Sequence, residues 1–321
     1  MKLFPLAVLA AAIAVAPLLA QAEAFPEKPI TFVVPFAAGT ATDQIARALG
    51  TQITAETKQA VVIDNKAGAS GFIASQSVAK APADGYTVLI TTNTTHAANE
   101  HLFKKLPYDP VKDFAPVAAL GKGGQIMVVN PSFPAKSVAE FIALAKKEPG
   151  KYSFGSGSSS SRMAGELLQQ MADIKLLHVP YKSNTLAVTD LLGGQINMMI
   201  TDTATGLPQV KAGKLRALGF SSATRSALAP DVPTIAEAGV KGYEMGYWFA
   251  AYAPAKTPPA VVKRLNELLV KAAKSEAAKT AFYEPTGTEV FTSSPEELAK
   301  FQAGESQKWG RIVKAAGIEA E

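Results

Sequence analysis

The chain has 321 residues, of which 48% are hydrophobic and 18% are charged, and this balance excludes a disordered chain, a collagen and a coiled coil. Its 32 basic and 27 acidic residues give a net charge of +5, without the clusters of Lys and Arg that a nucleic-acid groove requires. We therefore expect no nucleic acid as a partner. There is no cysteine, so disulfides, thiolate metal sites and cysteine nucleophiles are excluded. A chain of this length can form two lobes of about 100–150 residues, each with its own core.

Residues 1–24 have the pattern of a secretory signal peptide. Lys2 supplies a basic start, an uncharged apolar run follows, and small residues lie at the cleavage positions near Ala22 or Ala24. A transmembrane anchor is the alternative, but two prolines in the run leave a helix shorter than the about 20 residues that a bilayer requires. We therefore predict an exported protein that is cleaved near Ala22 or Ala24.

After residue 25, short apolar runs alternate with amphipathic segments, which is typical of an α/β fold with mostly parallel strands. The first part of the chain predicts strands at residues 30–35, 60–64 and 86–91, and helices at residues 43–54 and up to residue 80. The second part predicts strands at residues 126–130, 152–154, 176–179, 196–201, 215–220 and 248–252, and helices at residues 138–147, 163–171, 186–192, 259–274 and 296–315.

Glycines interrupt this pattern at two places that are far apart in the sequence, and we interpret both places as hinge segments. They are Gly121, Gly123 and Gly124 in the first and Gly239, Gly242 and Gly246 in the second. We therefore predict that residues 25–122 and 248–321 form lobe I. Residues 123–247 would form lobe II, which is inserted into lobe I.

Four predicted strands end in segments that are rich in hydroxyl or small side chains, at residues 36–42, 91–95, 155–161 and 201–205. In open α/β sheets, ligands bind beyond the carboxyl ends of strands, where loop N–H groups and helix N-termini attract anions. The simpler interpretation of a single segment is that its Ser and Thr residues only cap a helix. Because two of the segments fall in each predicted lobe, we expect a shared cleft that binds a small anion.

No motif of an enzyme or a cofactor site is complete. The glycines at positions 155 and 157 begin a dinucleotide-like pattern that is one residue short, and no phosphate-binding loop or nucleophile elbow occurs. His96 and His101 are five residues apart and do not share a helical face, so they lack metal-ligand spacing. We therefore predict no cofactor, no metal and no catalysis.

Several longer motifs run along the chain after residue 25. They include Val34-Pro-Phe-Ala-Ala-Gly39, Ala83-Asp-Gly-Tyr86, Leu106-Pro-Tyr-Asp-Pro110, His178-Val-Pro-Tyr181, Asp190-Leu-Leu-Gly-Gly-Gln195 and Pro230-Asp-Val-Pro-Thr234. Together they resemble the Bug family, the extracytoplasmic solute receptors of tripartite tricarboxylate transporters, over nearly all of the chain.

The resemblance implies a two-lobed periplasmic-binding-protein (Venus flytrap) fold of the α/β class, in which each lobe has a mostly parallel sheet flanked by helices. It also implies a periplasmic monomer that closes on a small carboxylate by a hinge motion. The protein would then deliver this ligand to the permease subunits of a tripartite tricarboxylate transporter in the membrane.

The resemblance further implies which residues bind the ligand, carried over position by position. In lobe I they are Phe36, Ala37, Gly39, Thr40, Thr92, Asn93 and Thr94, and in lobe II they are Ser156, Ser158, Ser159, Ser160, Arg162, Tyr181 and Asp202. The first set would hold one carboxylate of the ligand. The second set would contact the rest of it.

Three places on the predicted cleft depart from the family pattern, and they leave the identity of the ligand open. Thr40 and Ala41 stand where two glycines are usual, Arg162 stands where a His is common, and Ser183 replaces a frequent Gly. Two interpretations of Arg162 also stay open. It pairs with Glu166 one helical turn away, or it binds a second carboxylate and makes the protein a dicarboxylate receptor.

Two other functions compete with transport. The same closure could present a ligand to a sensor kinase, and the sequence does not distinguish that role from transport. A small-acid enzyme would need a paired acid and base, for which Asp43 and Asp202 are the candidates. We interpret Asp43 instead as a residue of the first turn of a helix, where the helix dipole stabilises its charge.

Overall fold

Nine strands form one continuous sheet in the computed structural model, which describes residues 25–315 and 317–320. The strands are β1 (Ile30–Val34), β2 (Val61–Asn65), β3 (Thr87–Thr92), β4 (Phe114–Val129), β5 (Ser153–Ser156), β6 (Leu177–Pro180), β7 (Met198–Asp202), β8 (Arg216–Phe220) and β9 (Gly246–Pro254). The predicted signal peptide at residues 1–24 lies outside the described residues.

Helices cover both faces of the sheet. They are α1 (Ala41–Thr57), α2 (Phe72–Ala79), α3 (Asn99–Leu102), α4 (Val138–Lys147), α5 (Ser159–Ala172), α6 (Asn184–Leu192), α7 (Thr203–Lys211), α8 (Pro259–Lys274), α9 (Glu276–Ala278), α10 (Glu284–Thr286) and α11 (Pro295–Ala315), with π-helical segments at Thr94–Ala98 and Lys279–Tyr283. Phe32 of β1 belongs to one buried cluster with Ile45 of α1, while the next residue, Val33, belongs to another with Val78 of α2. Successive side chains of a strand point to opposite faces, so a helix packs on each face. None of the helices in the described part of the chain is long and apolar enough to cross a membrane.

The strands follow the order β2-β1-β3-β9-β4-β7-β5-β6, and β8 also pairs with β4. The group β1, β2 and β3 is parallel, and so is the group β5, β6 and β7. β9 and β4 lie between these groups and pair antiparallel with their neighbours. The predicted α/β architecture, with a mostly parallel sheet on each side, is therefore confirmed.

The 16-residue strand β4 divides the sheet into two halves. Its residues 114–124 pair with β9, and its residues 125–129 pair with β7 and β8. We call the part that contains β1, β2, β3 and β9 the first half, and the part that contains β5 to β8 the second half. Strand β4 therefore joins the two halves directly.

The prediction of a strand at residues 126–130 is wrong about its start, since β4 begins at Phe114. Pro116 and the glycines near residue 123 have low strand propensity, but pairing with β9 overrides it. Gly123 pairs with Tyr247, and a Cβ on Gly123 would lie 2.5 Å from the tyrosine hydroxyl oxygen. Gly124 pairs with Gly246 beside them, at the place where β4 passes between the halves. The predicted lobe boundaries near residues 122 and 247 stay a prediction.

Helices begin inside the hydroxyl-rich segments that were predicted as loops. α5 begins at Ser159 rather than near residue 163, because the Oγ of Ser158 accepts a 3.2 Å hydrogen bond from the N–H of Ser161 and caps the helix. Thr40 and Asp202 cap α1 and α7 in the same way. These residues therefore do cap helices, and whether they also bind a ligand stays a prediction.

Candidate ligand-binding site

Two adjoining cavities lie between the two halves of the sheet. The smaller one, the inner cavity, has a volume of about 40 Å³. It is lined from the first half by Phe36, Thr40, Ala41, Thr42, Thr92, Tyr247 and Phe249, and from the second half by Gly157, Ser158, Ser160, Asn184 and Asp202. Two of the predicted hydroxyl-rich segments from each half therefore meet here.

Four helices begin at the inner cavity. Thr40, Ser158 and Asp202 are the N-caps of α1, α5 and α7, and Asn184 is the first residue of α6. The first N–H groups of a helix have no acceptor within the helix, and they carry the positive end of its dipole. None of the described residues that line the cavity is Lys or Arg. The inner cavity therefore presents N–H groups and hydroxyls, instead of basic side chains, with which an anion could form hydrogen bonds.

The carboxylate of Asp202 lines this cavity as well, and hydrogen bonds from the protein hold it in place. Its Oδ1 accepts from the N–H and the hydroxyl of Thr205 at 2.8 and 2.7 Å. Its Oδ2 accepts from Nδ2 of Asn184 at 2.9 Å and from the hydroxyl of Thr201 at 3.4 Å. These four donors occupy both carboxylate oxygens and fix the orientation of Asp202 in the wall of the cavity.

Asn184 connects this carboxylate to the loop before α5. Its Oδ1 accepts a 3.0 Å hydrogen bond from the N–H of Gly157. A side chain at Gly157 has no room, because its Cβ would collide with the backbone of Ser183 and Asn184. The starts of α5 and α6 are therefore held together, and this contact places Ser158 beside Asn184 on the cavity wall.

Hydrogen bonds to the carboxylate of Asp43 fix the segment before α1. Burial opposes its charge, but hydrogen bonds from Arg47, from the N–H of Gly39 and from Asn65 lower the pKa of Asp43 below its ordinary value. Nε of Arg47 lies 3.0 Å from the carboxylate, and the Gly39 nitrogen lies 2.8 Å from it. The interpretation of Asp43 as a structural residue of the first helical turn is confirmed.

The larger cavity, the outer cavity, has a volume of about 270 Å³. It is lined from the first half by Pro35, Phe36, Gly68, Ser70, Gly71, Leu102 and Phe103, and from the second half by Ser156, Gly157, Ser158, Ser159, Arg162, His178, Pro180, Tyr181 and Lys182. Phe36, Gly157 and Ser158 line both cavities. The two cavities therefore adjoin at these three residues.

Basic side chains line the outer cavity on the side of the second half. Arg162 and Lys182 supply positive charge there, and Nε2 of His178 lies 2.7 Å from the hydroxyl of Ser156. Nε of Arg162 lies 3.9 Å from a carboxylate oxygen of Glu166, so the pair that the sequence suggested is present. Burial raises the pKa of Glu166, although the charge of Arg162 opposes this shift.

Tyr181 lines the outer cavity together with these cations. Its hydroxyl donates a 2.8 Å hydrogen bond to Asp190. Burial, together with the neighbouring Asp190 carboxylate, raises the pKa of Tyr181 to about 12, so the phenol stays protonated. Among the residues that the structure describes, no group of three or more His, Asp or Glu side chains is placed to hold a metal ion.

The predicted binding residues divide into four groups. Thr40, Thr92, Ser160 and Asp202 line the inner cavity, Ser156, Ser159, Arg162 and Tyr181 line the outer cavity, and Phe36 and Ser158 line both. Ala37, Gly39, Asn93 and Thr94 line neither cavity. The N–H of Gly39 donates a hydrogen bond to the carboxylate of Asp43, and Nδ2 of Asn93 donates to the carbonyl of Gly246 at 3.2 Å. The binding role of all fourteen residues stays a prediction.

Several residues that line the cavities were not predicted from the sequence. Tyr247 and Phe249 lie two positions apart on β9 and so share a face, a pattern that could have been recognised beside a hinge glycine. Asn184 and Leu102 had no such signal, and His178 was visible only as the first residue of the motif that ends at Tyr181. They reach the site only because the fold brings distant segments together.

Comparison with known proteins places this site in context. Residues 45–318 match the family model described as "Tripartite tricarboxylate transporter family receptor". Over 302 residues the chain is 35% identical to the protein BugT of Bordetella pertussis, and the match covers 93% of this chain and 92% of BugT. The structure of R. palustris Rpa4515 with adipate has 34% identity and a TM-score of 0.89, and covers 92% of this chain and 100% of that one. The structure of MatC from Rhodopseudomonas palustris with bound malate has 31% identity and a TM-score of 0.85, and covers 90% of this chain and 100% of that one.

Proposed function

Because the chain belongs to the tripartite tricarboxylate transporter receptor family, which includes the Bug proteins, we propose that it captures a small dicarboxylate between its two halves and delivers it to a tripartite membrane transporter. The family consists of periplasmic solute-binding receptors, and the similarity to solved members confirms the periplasmic-binding-protein fold. Under this proposal residues 1–24 direct export, the two halves close by a hinge motion near Gly123 and Gly246, and the monomeric protein does not catalyse a reaction.

The observation that carries this proposal is the convergence of four helix N-termini on the inner cavity. A carboxylate fits such a site, because its two oxygens accept several hydrogen bonds from N–H and hydroxyl groups. Thr40 and Thr92 supply hydroxyls from the first half, and Ser158 and Ser160 supply them from the second. A ligand that is bound from both sides stabilises the closed arrangement.

The outer cavity supports a second carboxylate at the far end of the same ligand. Arg162 and Lys182 line it, and their charges would offset the cost of removing a carboxylate from water. The solved relatives that are described with adipate and with malate both hold dicarboxylates. We therefore place one carboxylate in the inner cavity and the other near Arg162.

Isothermal titration calorimetry with matched ligands tests the proposal. Adipate, malate and succinate would be compared with hexanoate, which has the carbon chain of adipate but one carboxylate. We expect at least one dicarboxylate to bind at least about tenfold more tightly than hexanoate, since a hydrogen bond to a charged group contributes roughly 1.5–3 kcal/mol. Equal affinities would contradict the dicarboxylate assignment, and turnover of any of these acids would contradict a receptor without catalysis.

Delivery to a transporter needs its own measurement. The receptor, with radiolabelled ligand bound, would be added outside membrane vesicles that contain the permease subunits. Uptake of the radiolabelled ligand into the vesicles would then be measured. We expect uptake to require the receptor and to saturate with its concentration. Uptake at the same rate without the receptor would contradict the transport role.

A further inference from the structure

Asn99, a residue that no binding prediction included, makes a hydrogen bond between the two halves. The residue begins α3, directly after the segment that follows β3 of the first half, and it is fully buried. Its Oδ1 accepts a 2.8 Å hydrogen bond from the hydroxyl of Ser159, which begins α5 in the second half. Both side chains are buried, so this bond is shielded from competing water.

The first half fixes the orientation of the Asn99 amide. Its Nδ2 donates to the carbonyl of Ser70 at 2.9 Å and to the hydroxyl of Tyr108 at 3.3 Å. The Tyr108 hydroxyl in turn donates to the carbonyl of Thr95 at 2.8 Å. Both amide hydrogens are therefore used within the first half, and the amide oxygen is left facing the second half as an acceptor.

The same side chain joins the two walls of the outer cavity. Ser70 lines this cavity from the first half and Ser159 lines it from the second, while Asn99 lies behind both. Ser70 has a φ of 51°, a left-handed conformation that a residue with a side chain rarely adopts. The hydrogen bond from Asn99 to its carbonyl holds this strained turn at the edge of the cavity.

We propose that Asn99 is a positioning residue that stabilises the closed arrangement of the two halves through its hydrogen bond to Ser159. When the halves separate to admit or release a ligand, this bond has to break while the bonds to Ser70 and Tyr108 remain. Asn99 thus keeps its acceptor oriented in the open form and forms the bond again on closing. The inference rests on the hinge motion of the proposed function, but not on the identity of the ligand.

The test measures the distance between the halves in the ligand-free protein by double electron–electron resonance. The chain has no cysteine, so spin labels at Val62→Cys and Leu177→Cys would be the only ones. These residues are 50% and 59% exposed and lie on β2 and β6, the strands at opposite ends of the sheet order. A hinge motion between the halves changes their separation more than that of residues near the centre.

Ser159→Ala removes the donor between the halves and leaves the other bonds of Asn99 in place, whereas Asn99→Ala removes all of them. Ser161→Ala is the matched control, because its hydroxyl donates to the carbonyl of Ile200 within the second half. We expect Ser159→Ala to lower the population of the closed distance relative to that of the open distance by about three- to tenfold, as the loss of one hydrogen bond predicts. Ser161→Ala should leave the distances unchanged, and the double variant at positions 99 and 159 should open no further than Asn99→Ala.

A distance distribution that is the same in Ser159→Ala, Asn99→Ala and the unchanged protein would overturn the proposal, whether or not the halves move. An equal shift in Ser161→Ala would also overturn it, because the effect would then reflect a general loss of stability in α5. Calorimetry with adipate on the same samples separates this outcome from a failure of the proposed function. If adipate still binds while the distances do not respond, only the role of Asn99 is wrong.

Discussion

Nδ2 of Asn184 donates a 2.9 Å hydrogen bond to the carboxylate of Asp202 on the wall of the inner cavity. The other end of the amide accepts from the N–H of Gly157, so one buried side chain connects the starts of α5, α6 and α7. The network positions the helix N-termini and satisfies the buried charge of Asp202. Under the proposed function it would also limit the repulsion between Asp202 and the carboxylate of the ligand.

Asn184→Ala should weaken ligand binding by about tenfold, because Asp202 then lacks one donor and repels a carboxylate more strongly, and because the starts of α5 and α6 lose the contact that orients them. Asn197→Ala is the matched control. Asn197 also accepts from a backbone N–H in the second half, that of Ser153 at 2.8 Å, but it lines neither cavity. Calorimetry should show weaker binding in the first variant only, and similar losses in both would assign the effect to stability.

Thr92→Val should also weaken binding by at least about tenfold, since it removes a hydroxyl from the inner cavity and nearly keeps the volume of the side chain. Thr92 is the last residue of β3, and its Oγ1 also accepts a 3.2 Å hydrogen bond from the N–H of Thr94. The control is Thr91→Val, because Thr91 points to the other face of β3 and contacts Thr95 there. Binding that is unchanged in Thr92→Val would show that this hydroxyl accepts the hydrogen bond from Thr94 but does not contact the ligand.

The elements that the sequence predicted to the residue are those with strong local signals at both ends. α4 and α8 begin and end where predicted, at Val138–Lys147 and Pro259–Lys274. Ser137 caps the first with its hydroxyl, and a proline at the first position starts the second. The start of β4 lacked such signals, because its pairing with β9 depends on residues more than a hundred positions away.

α7 was missed because Gly206 and Pro208 lie inside it. The structure explains the glycine, since a Cβ at Gly206 would lie 2.8 Å from the side chain of Ile126 on β4.

At the site, the Ser and Thr residues that follow strands could be recognised from the sequence, and several of them line the cavities. Asn99 and Asn184 could not be recognised, because an Asn gains its role from partners that only the folded chain brings near.

The buried His96 should make the stability of the protein depend on pH. Burial lowers the pKa of His96 to about 3, and its ring stacks on Tyr252 with the ring centres 3.9 Å apart. The unfolded chain has the ordinary pKa of about 6.5, so between these values it binds a proton that the folded protein does not. The free energy of unfolding is therefore unaffected by the titration of His96 above about pH 6.5, and it decreases as the pH falls from there towards the pKa of about 3 in the folded protein.

Urea unfolding at pH 7 and at pH 5 measures this dependence. His96 alone should cost the protein about 2 kcal/mol of unfolding free energy over that interval. His96→Phe keeps an aromatic ring against Tyr252 and removes the titrating group, so its loss between pH 7 and pH 5 should be smaller by about this amount. The same loss in both proteins would show that His96 is protonated in the folded state.

Arg162 is expected to decide between ligands with one and two carboxylates. It lines the outer cavity and at the same time lies 3.9 Å from Glu166, a distance that makes a weak ion pair. A ligand carboxylate in the outer cavity would compete with Glu166 for the guanidinium. Arg162→Met keeps much of the length of the side chain and removes its charge.

This substitution should weaken the best-bound dicarboxylate by at least about tenfold, roughly 1.5 kcal/mol, and leave the monocarboxylate of equal length nearly unchanged. Glu166→Gln provides the opposite change, because it removes the competitor and should leave dicarboxylate affinity equal or higher. Calorimetry of both ligands with both variants tests these expectations. Equal losses for the two ligands in Arg162→Met, or none for either, would contradict a contact between Arg162 and a second carboxylate of the ligand.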